Sequence, residues 1–362
     1  MKVLIVSTRY WGDCLLAASL AQPIKDHWPQ ATVDMLTFKS NQSILEGITA
    51  IDHIIGVEKH PKKSEQFKDM MRLRNHYDWA LITMGSTRAA IYGYFAGKKQ
   101  CMPDPGKGSH GLWKRWLISE FVPFAAEDQM IDQMAGLLKP LLGKVPTVNP
   151  ACPRNPLLPS DVTSWLGKAG YVVFHTQSRY LDKSWSVRGW KELVLSALDK
   201  GLKVCFTGGP AEEEKRRIEE IAKGFDPQYV RSVAGLLSFG QTACLIEKAK
   251  AYVGVDTGTS HVAAATGTPC LMLFGPTDVR AWGPSPKAGR TRWNTTESVQ
   301  TMGNVTLIRH PQYLDCHRCD RHRCPLHQPT ELGHCLQTLP TDMVLEAFDK
   351  LFQDEAGESP KA

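Results

Sequence analysis

The stretch Ala251-Tyr252-Val253-Gly254-Val255-Asp256-Thr257-Gly258-Thr259-Ser260-His261-Val262-Ala263-Ala264-Ala265 reads as a short buried strand turning sharply into the first turn of a helix. Its small residues allow close packing. A second apolar run, Pro269 to Phe274, follows and is closed by Gly275-Pro276-Thr277-Asp278, so the helix joins two parallel strands. Such a junction turns the unpaired backbone N–H groups of Thr257, Gly258, Thr259 and Ser260 toward one point. There the helix dipole and the hydroxyl donors add up to a seat for a diphosphate. The alternative is an ordinary strand-to-helix turn capped by Asp256.

Working outward, the 362 residues exceed one ordinary core and point to two domains. A hydrophobic share of 42% and a charged share of 22% suit a soluble globular protein. No apolar run reaches the roughly 18 residues of a membrane span. Arg9 stands where a signal peptide would need an apolar core, so the expected location is the cytoplasm. The ten cysteines are split between isolated ones in apparent strands, such as Cys205 and Cys270, and a late cluster, which is no secreted disulfide framework.

The net charge of +6 is unevenly placed. Six basic residues, Lys62 and Lys63 among them, fall between Lys59 and Arg74, against Glu65 and Asp69. Five more fall between Lys98 and Arg115, beside Trp113 and Trp116. Both runs lie in the first half, where they suit a phosphorylated acceptor, an acidic membrane surface or a nucleic acid, or else form a solvated face.

Strand and helix alternate as in a parallel sheet with crossovers. The patterning predicts strands over 2–7, 32–37, 51–57 and 79–83, helices over 13–27, 64–76 and 127–142, and a loop over 101–110. Proline is dense from Pro146 to Pro159, which predicts a linker. The alternation then restarts with strands over 171–175 and 203–207 and helices over 187–200, 211–224 and 239–250. The expected division is a domain over 1–150, a linker over 151–165, a second domain over 166–340, an amphipathic helix over 341–352 and a frayed tail over 353–362. The fold class is α/β: two Rossmann-like, doubly wound halves facing each other across a cleft, with ligands beyond the carboxyl ends of the strands.

Arg9-Tyr10-Trp11-Gly12-Asp13 follows the first strand. Gly12 permits the tight turn, and Asp13 stands at a helix start at the ligand end of the sheet. A carboxylate there either caps the helix, worth about 1 kcal/mol, or serves as a general base, worth about 10²- to 10⁴-fold in rate. In the second half, Thr176-Gln177-Ser178-Arg179 follows a strand and Asp182-Lys183-Ser184-Trp185 precedes a helix. Hydroxyls with a flexible ammonium suit a leaving phosphate, on whose oxygens charge builds as the bond breaks; a loop lysine taken alone is usually just solvated. Thr207-Gly208-Gly209-Pro210-Ala211-Glu212-Glu213 ends another strand. Its glycines admit a close ligand, and its carboxylates either accept from ribose hydroxyls or simply favour a helix N-terminus.

These segments and the Phe274-Gly275-Pro276-Thr277-Asp278 turn occur in one order across 1–352. In that order they resemble the bacterial heptosyltransferases of lipopolysaccharide core assembly, family nine of the glycosyltransferases. Each motif is weak alone; the ordered set is specific. The resemblance implies a GT-B fold with a deep interdomain cleft, an acceptor domain followed by a nucleotide-sugar domain. It also implies inverting transfer of a heptose from ADP-heptose to a phosphorylated lipopolysaccharide inner-core acceptor at the inner face of the cytoplasmic membrane. By the same resemblance Asp13 deprotonates the acceptor hydroxyl, and Lys183 with Thr176 or Ser178, beside Gln177, holds the diphosphate. Asp256, Thr257, Gly258, Thr259 and His261 would bind the donor's diphosphate and sugar, with Gly209 close to it, Glu212 or Glu213 on the ribose and Leu237 against the adenine. His261 could instead be a satisfied helix-start histidine. Arg9, Trp11, Gly12, Lys62 and Lys63 would meet the acceptor.

Metal-dependent sugar transferases typically hold their ion with an Asp-x-Asp pair, and none occurs in this chain. No cofactor is therefore expected, positive charge from Lys183 and the helix N-terminus replacing the ion. Tyr10-Trp11 departs from the family pattern, where small residues are common. The insertion near 101–116 and the late cysteines are closer to the members that add a branching third heptose. Those cysteines are Cys316-x2-Cys319-x4-Cys324-x10-Cys335, interleaved with His317, His322, His327 and His334. The spacing suits a structural zinc or an iron–sulfur cluster, the alternative being structural thiols or a labile disulfide.

Another nucleotide sugar on the same fold stays open. A nicotinamide-dependent oxidoreductase is disfavoured because no Gly-x-Gly-x-x-Gly follows any of the strands. A nucleic-acid-binding protein is disfavoured because the cluster lacks two-Cys, two-His spacing and no stripe of stacking aromatics accompanies it.

Overall fold

The computed structural model describes residues 1–104, 113–125, 128–178, 183–316 and 334–353. The chain forms two compact units, Met1–Pro153 and Arg154–Ala362.

In the first unit β1 (Lys2–Val6), β2 (Thr32–Phe38), β3 (His53–Val57), β4 (Tyr77–Ile82), β5 (Gly97–Pro103) and β6 (Glu120–Val122) form one parallel sheet, ordered β3-β2-β1-β4-β5-β6. This is the doubly wound order, and its switch point lies between β1 and β4, the loops that ligands meet in such sheets. Val3, Leu4, Ile5 and Val6 are all fully buried, because helices cover both faces of a parallel sheet. The helices are α1 (Trp11–Ala18), α2 (Ala21–His27), α3 (Lys63–Leu73), α4 (Thr87–Ala96), α5 (Lys114–Leu117), α6 (Met130–Ala135) and α7 (Lys139–Leu142).

Three expectations need correction here. The helix over 13–27 is two helices, since Pro23 has no N–H to give the Ser19 carbonyl, and the chain tightens through Ser19 N–H to Leu16 O and Leu20 N–H to Ala17 O. The helix over 127–142 is likewise divided, with a 3₁₀ turn at Gly136–Leu138 before Pro140; Glu127 lies outside the described residues. Cys101 to Pro103 are strand rather than loop, for Cys101 and Met102 are fully buried and proline closes the strand, where its missing donor costs little.

In the second unit β7 (Tyr171–His175), β8 (Lys203–Phe206), β9 (Val230–Ser232), β10 (Ala251–Val255), β11 (Cys270–Phe274), β12 (Val299–Met302) and β13 (Val305–Arg309) are ordered β12-β13-β11-β10-β7-β8-β9. Only β12 runs antiparallel, against β13. The switch point lies between β7 and β10. Helices α8 (Ser160–Leu166), α9 (Val187–Asp199), α10 (Glu212–Ala222), α11 (Phe239–Glu247), α12 (Gly258–Thr266), α13 (Val279–Trp282), α14 (His334–Gln337) and α15 (Thr341–Lys350) complete it. Helix α8 begins inside the stretch expected as linker.

Alternate residues of each strand feed two cores. Val172 and Phe174 join one, Tyr171 and Val173 the other. Val344 and Phe348 of α15 belong to the first, Phe348 lying edge-on to Phe174 with ring centroids 6.1 Å apart. Burial of each such side chain contributes about 1.5–3 kcal/mol. The C-terminal helix is thus an integral part of the second unit. The expected tail from 354 onward lies outside the described residues.

Candidate active site

At the β10–α12 junction Gly254 is required by its neighbour: a Cβ there would lie 2.3 Å from the Tyr252 hydroxyl. The space lets the Tyr252 ring reach Ser260 Oγ at 3.1 Å, and Ser260 also donates to Val255 O. Strand end and first helical turn are thereby braced together. The N-cap is Thr257, not Asp256, and Ser260 N–H is engaged with Thr257 O at 3.1 Å. The converging amides are therefore those of Thr257, Gly258 and Thr259, which have no carbonyl four residues back in the helix.

Asp256 has another task. Its Oδ2 accepts from Lys183 Nζ and from Thr277 Oγ1. Burial pushes this carboxyl up, but the Lys183 charge, the hydrogen bonds of Lys183 and Thr277 and the proximity of His261 outweigh it and hold the group below the usual carboxylate range. His261 is 6% exposed. Burial lowers its pKa, Asp256 opposes and Lys183 adds to the lowering, so the ring is neutral at neutral pH.

The Lys183 loop is anchored from behind by Gln337 Nε2, which donates to Ser184 O at 2.6 Å, and by Trp185 Nε1, which donates to Leu339 O at 3.1 Å. Thr176 and Gln177 follow β7, so the switch point brings them to the same end of the sheet as Asp256 and His261. Four buried atoms of this group, Thr176 Oγ1, Gln177 Nε2, Ser184 Oγ and His261 Nδ1, make no hydrogen bond within the described residues. An unmet buried polar atom costs about 1–3 kcal/mol. Such atoms on the loops after β7 and β10 mark a place where a polar ligand supplies the partners.

His175, by contrast, is satisfied: its Nδ1 lies 3.0 Å from Thr207 Oγ1, and burial brings its pKa down to about 4. At the glycine turn after β8 the structure brings in Glu214 rather than Glu212 or Glu213. Its Oε atoms would lie 2.9 and 2.8 Å from a Cβ at Gly208 and Gly209, and burial raises its pKa against a backbone hydrogen bond from Gly209. Glu212 and Glu213 are exposed, the former bound to Lys215. Leu237 is half-buried against the second core cluster. Arg179 and Asp182 lie outside the described residues.

In the first unit Asp13 is the third residue of α1, whose N-cap is Tyr10 with no side-chain cap bond. It is 4% exposed, Oδ1 is buried without a hydrogen bond among the described residues, and Arg9 Nε stands 4.0 Å from Oδ2. Burial pushes the Asp13 pKa up, with the Arg9 charge and a Tyr10 backbone bond pulling the other way. The carboxyl sits at the β1–β4 switch point, whose two loops meet where Thr8 Oγ1 is 3.4 Å from Ser86 Oγ. Trp11 and Tyr10 are exposed, and Trp11 Nε1 donates to Ser40 O at 3.3 Å. Gly12 between them and Asp13 is half-buried.

Lys62 and Lys63 are exposed at the start of α3, after β3, two strands from β1. Of the second basic run, Lys107 lies outside the described residues and Lys99 is exposed, while the other three cations are engaged. Lys98 pairs with Asp78 at 2.9 Å, Arg115 with Asp104 at 2.6 Å, and Lys114 is buried with its amine on Gly85 O. Of the late cysteines, Cys319 and Cys324 lie outside the described residues, as do His317, His322 and His327; Cys316 and Cys335 are half-buried. Among the described residues no group of His, Cys, Asp and Glu is arranged to hold a metal ion, and no helix is long and apolar enough to cross a membrane.

The sequence alone did not single out Ser184, Thr277 and Glu214. The first two stood within the quoted motifs, but only their contacts give them a role. Glu214 is one residue along a helix from the pair expected, a turn of 100° that decides which carboxylate faces the glycines.

The model for glycosyltransferase family 9 (heptosyltransferase) matches residues 67–308. Lipopolysaccharide heptosyltransferase 3 of Escherichia coli K12 is 24% identical over 96% of this chain and 97% of its own length. Lipopolysaccharide heptosyltransferase 1 of Escherichia coli O18:K1:H7 is 36% identical over 77% of this chain and 87% of its own. Among solved structures, that of E. coli heptosyltransferase WaaC with ADP is similar at a TM-score of 0.72 and 22% identity, covering 97% of this chain and 100% of that one. The fold is the GT-B fold of these enzymes, as the sequence led one to expect.

Proposed function

Because the chain belongs to glycosyltransferase family 9, the heptosyltransferases, and is a glycosyltransferase, we propose that it moves a heptose from ADP-heptose, with inversion and without a metal ion, to a phosphorylated lipopolysaccharide inner-core acceptor. The observation that carries this reading lies at the loops of the β7–β10 switch point, which carry the Lys183–Asp256 pair and, in Thr176, Gln177, Ser184 and His261, buried polar atoms that have no partner among the described residues.

In this reading Lys183, the hydroxyls of Thr176, Ser178 and Ser184, the Gln177 amide and His261 receive the donor's diphosphate, with the backbone amides of Thr257, Gly258 and Thr259 at the positive end of α12. Asp256, held ionised, repels a diphosphate; its part is to hold Lys183. Gly209 lets the nucleotide approach the backbone, Glu214 or its exposed neighbours Glu212 and Glu213 accept from the ribose, and Leu237 lies against the base. The relative solved with ADP supports the choice of nucleotide.

Asp13 takes the proton of the acceptor hydroxyl. The oxygen then attacks the anomeric carbon on the face away from the diphosphate, the carbon–oxygen bond to the phosphate breaks, and ADP leaves with its new charge facing Lys183 and the helix end. A single displacement inverts the anomeric centre. The raised pKa of Asp13 makes it a stronger base than an ordinary carboxylate. Arg9, Trp11, Gly12, Lys62 and Lys63 meet the acceptor, whose lipid anchor brings the enzyme to the inner face of the cytoplasmic membrane. The likeness to heptosyltransferase 3 over 96% of the chain supports the branching heptose as the one added.

Calorimetric titration with ADP, UDP and GDP tests the donor, with ADP expected to bind at least tenfold more tightly. Equal affinities sink the ADP assignment. Transfer from ADP-heptose to heptose-deficient lipopolysaccharide, with the new anomeric centre read by NMR, tests the reaction; retained configuration sinks the single displacement.

A further inference from the structure

One oxygen, Asp256 Oδ2, receives two donors at once, the Lys183 ammonium from the loop after β7 and the Thr277 hydroxyl from the loop after β11. The Thr277 loop is itself fixed. Asp278 caps α13 by accepting from Arg280 N–H at 3.1 Å, and the Arg280 side chain returns to the same carboxylate through Nε at 3.1 Å and Nη2 at 2.9 Å. Thr277 is therefore presented on a clamped turn, and its partner oxygen belongs to a buried carboxylate. A buried carboxylate with a single cationic partner holds that cation hard, since losing it leaves an unmet charge. A second donor on the same oxygen eases that demand.

We propose that Thr277 is a positioning residue for Lys183: by sharing the Asp256 carboxylate it fixes the oxygen that aims the ammonium and leaves that ammonium free to take charge from a diphosphate. Thr277 need not touch the donor. It acts through Asp256, and its effect reaches the diphosphate only by way of Lys183. This rests on the donor-site reading above.

The test is a mutant cycle read by ADP calorimetry and by donor and acceptor kinetics. Thr277→Val keeps the shape and removes the hydroxyl; ADP affinity and kcat/KM for the donor should fall about tenfold, the worth of one hydrogen bond to a charged group. The acceptor KM should not move. Thr277→Ser, which keeps the donor, should restore ADP affinity to within about twofold of wild type. In an Asp256→Asn background, or in Lys183→Met where that protein does not fold, Thr277→Val should add no further loss. A tenfold loss that persists in those backgrounds, or a Val variant that binds ADP as wild type does, overturns the proposal. Wild-type protein that fails to bind ADP instead overturns the donor reading, and this proposal with it.

Discussion

Lys183 and Asp256 stand 73 residues apart in the chain and meet as a part-buried ion pair, because β7 and β10 are neighbours at the point where the strand order of the second unit reverses. Neither residue alone distinguishes a phosphate site from an ordinary surface loop. The pair says more, for a cation drawn out of water needs compensation, and the loops that carry the pair also carry buried polar atoms with no partner among the described residues.

Lys183→Met should lower transfer about 10²- to 10³-fold, as loss of a group that stabilises leaving charge does. It should also destabilise the fold by about 3–5 kcal/mol at neutral pH, since Asp256 is left buried with only a hydroxyl. The sign with pH follows from Asp256. In the wild type its pKa is depressed, so its stabilising contribution is present above the ordinary carboxylate pKa and fades only as pH falls through the depressed value. Without Lys183, burial dominates and the group prefers its proton. The stability gap between the two proteins should therefore widen from pH 5 to pH 8, and denaturant unfolding at both values measures it. A gap independent of pH counts against the pair as described.

Asp13→Asn should leave ADP affinity unchanged and reduce transfer by about 10²- to 10⁴-fold. Because burial raises the pKa of Asp13, and the base must be ionised, kcat/KM for the acceptor should fall on acidification at a pH above that of an ordinary carboxylate. A rate profile flat to pH 4 assigns the base elsewhere.

His261 enters as a neutral, buried ring facing the opposed charges of Asp256 and Lys183. A bound diphosphate adds negative charge nearby and raises its pKa, so ADP binding near pH 7 should take up a fraction of a proton. Titrations in two buffers of different ionisation enthalpy read this directly. His261→Gln should abolish the difference between buffers, and identical enthalpies for the wild type would show that the ring stays neutral.

Gly254→Ala forces a Cβ against the Tyr252 hydroxyl and breaks the brace on Ser260. Overpacking of this kind costs about 1–3 kcal/mol, and ADP affinity should fall with it. Chemical unfolding within 0.5 kcal/mol of wild type, a difference about the size of a neutral surface change, would mean that the ring moves aside freely.

Much of the fold was legible because strands buried on both faces are written as unbroken apolar runs. β1, β7, β10 and β11 read this way, and so does the small-residue helix α12. Less legible were β5, β6, β9, β12 and β13. β9 has three residues and β12 alternates exposed with buried, so each is a strand only by virtue of the neighbour it pairs with. The breaks within 13–27 and 127–142 turned on single prolines whose effect depends on register. Among the site residues, Asp13, Lys183 and His261 stood out as chemistry, whereas the role of Asp256 did not: the same carboxylate in the same motif fits a cap, a ligand or a counter-ion.

Local pattern by itself determined two doubly wound α/β halves, the strand-to-helix turn at Val255–Gly258 and the order of the motifs, since these follow from periodicity and from the conformational limits of glycine and proline. Only the tertiary structure decided that Asp256 holds Lys183 and Thr277, that Glu214 rather than its neighbours meets the glycines, and that Asp13 keeps an oxygen without a partner among the described residues. Those facts depend on which loops a sheet's crossovers bring side by side and which atoms lose their water, and neither is encoded in any short stretch of chain.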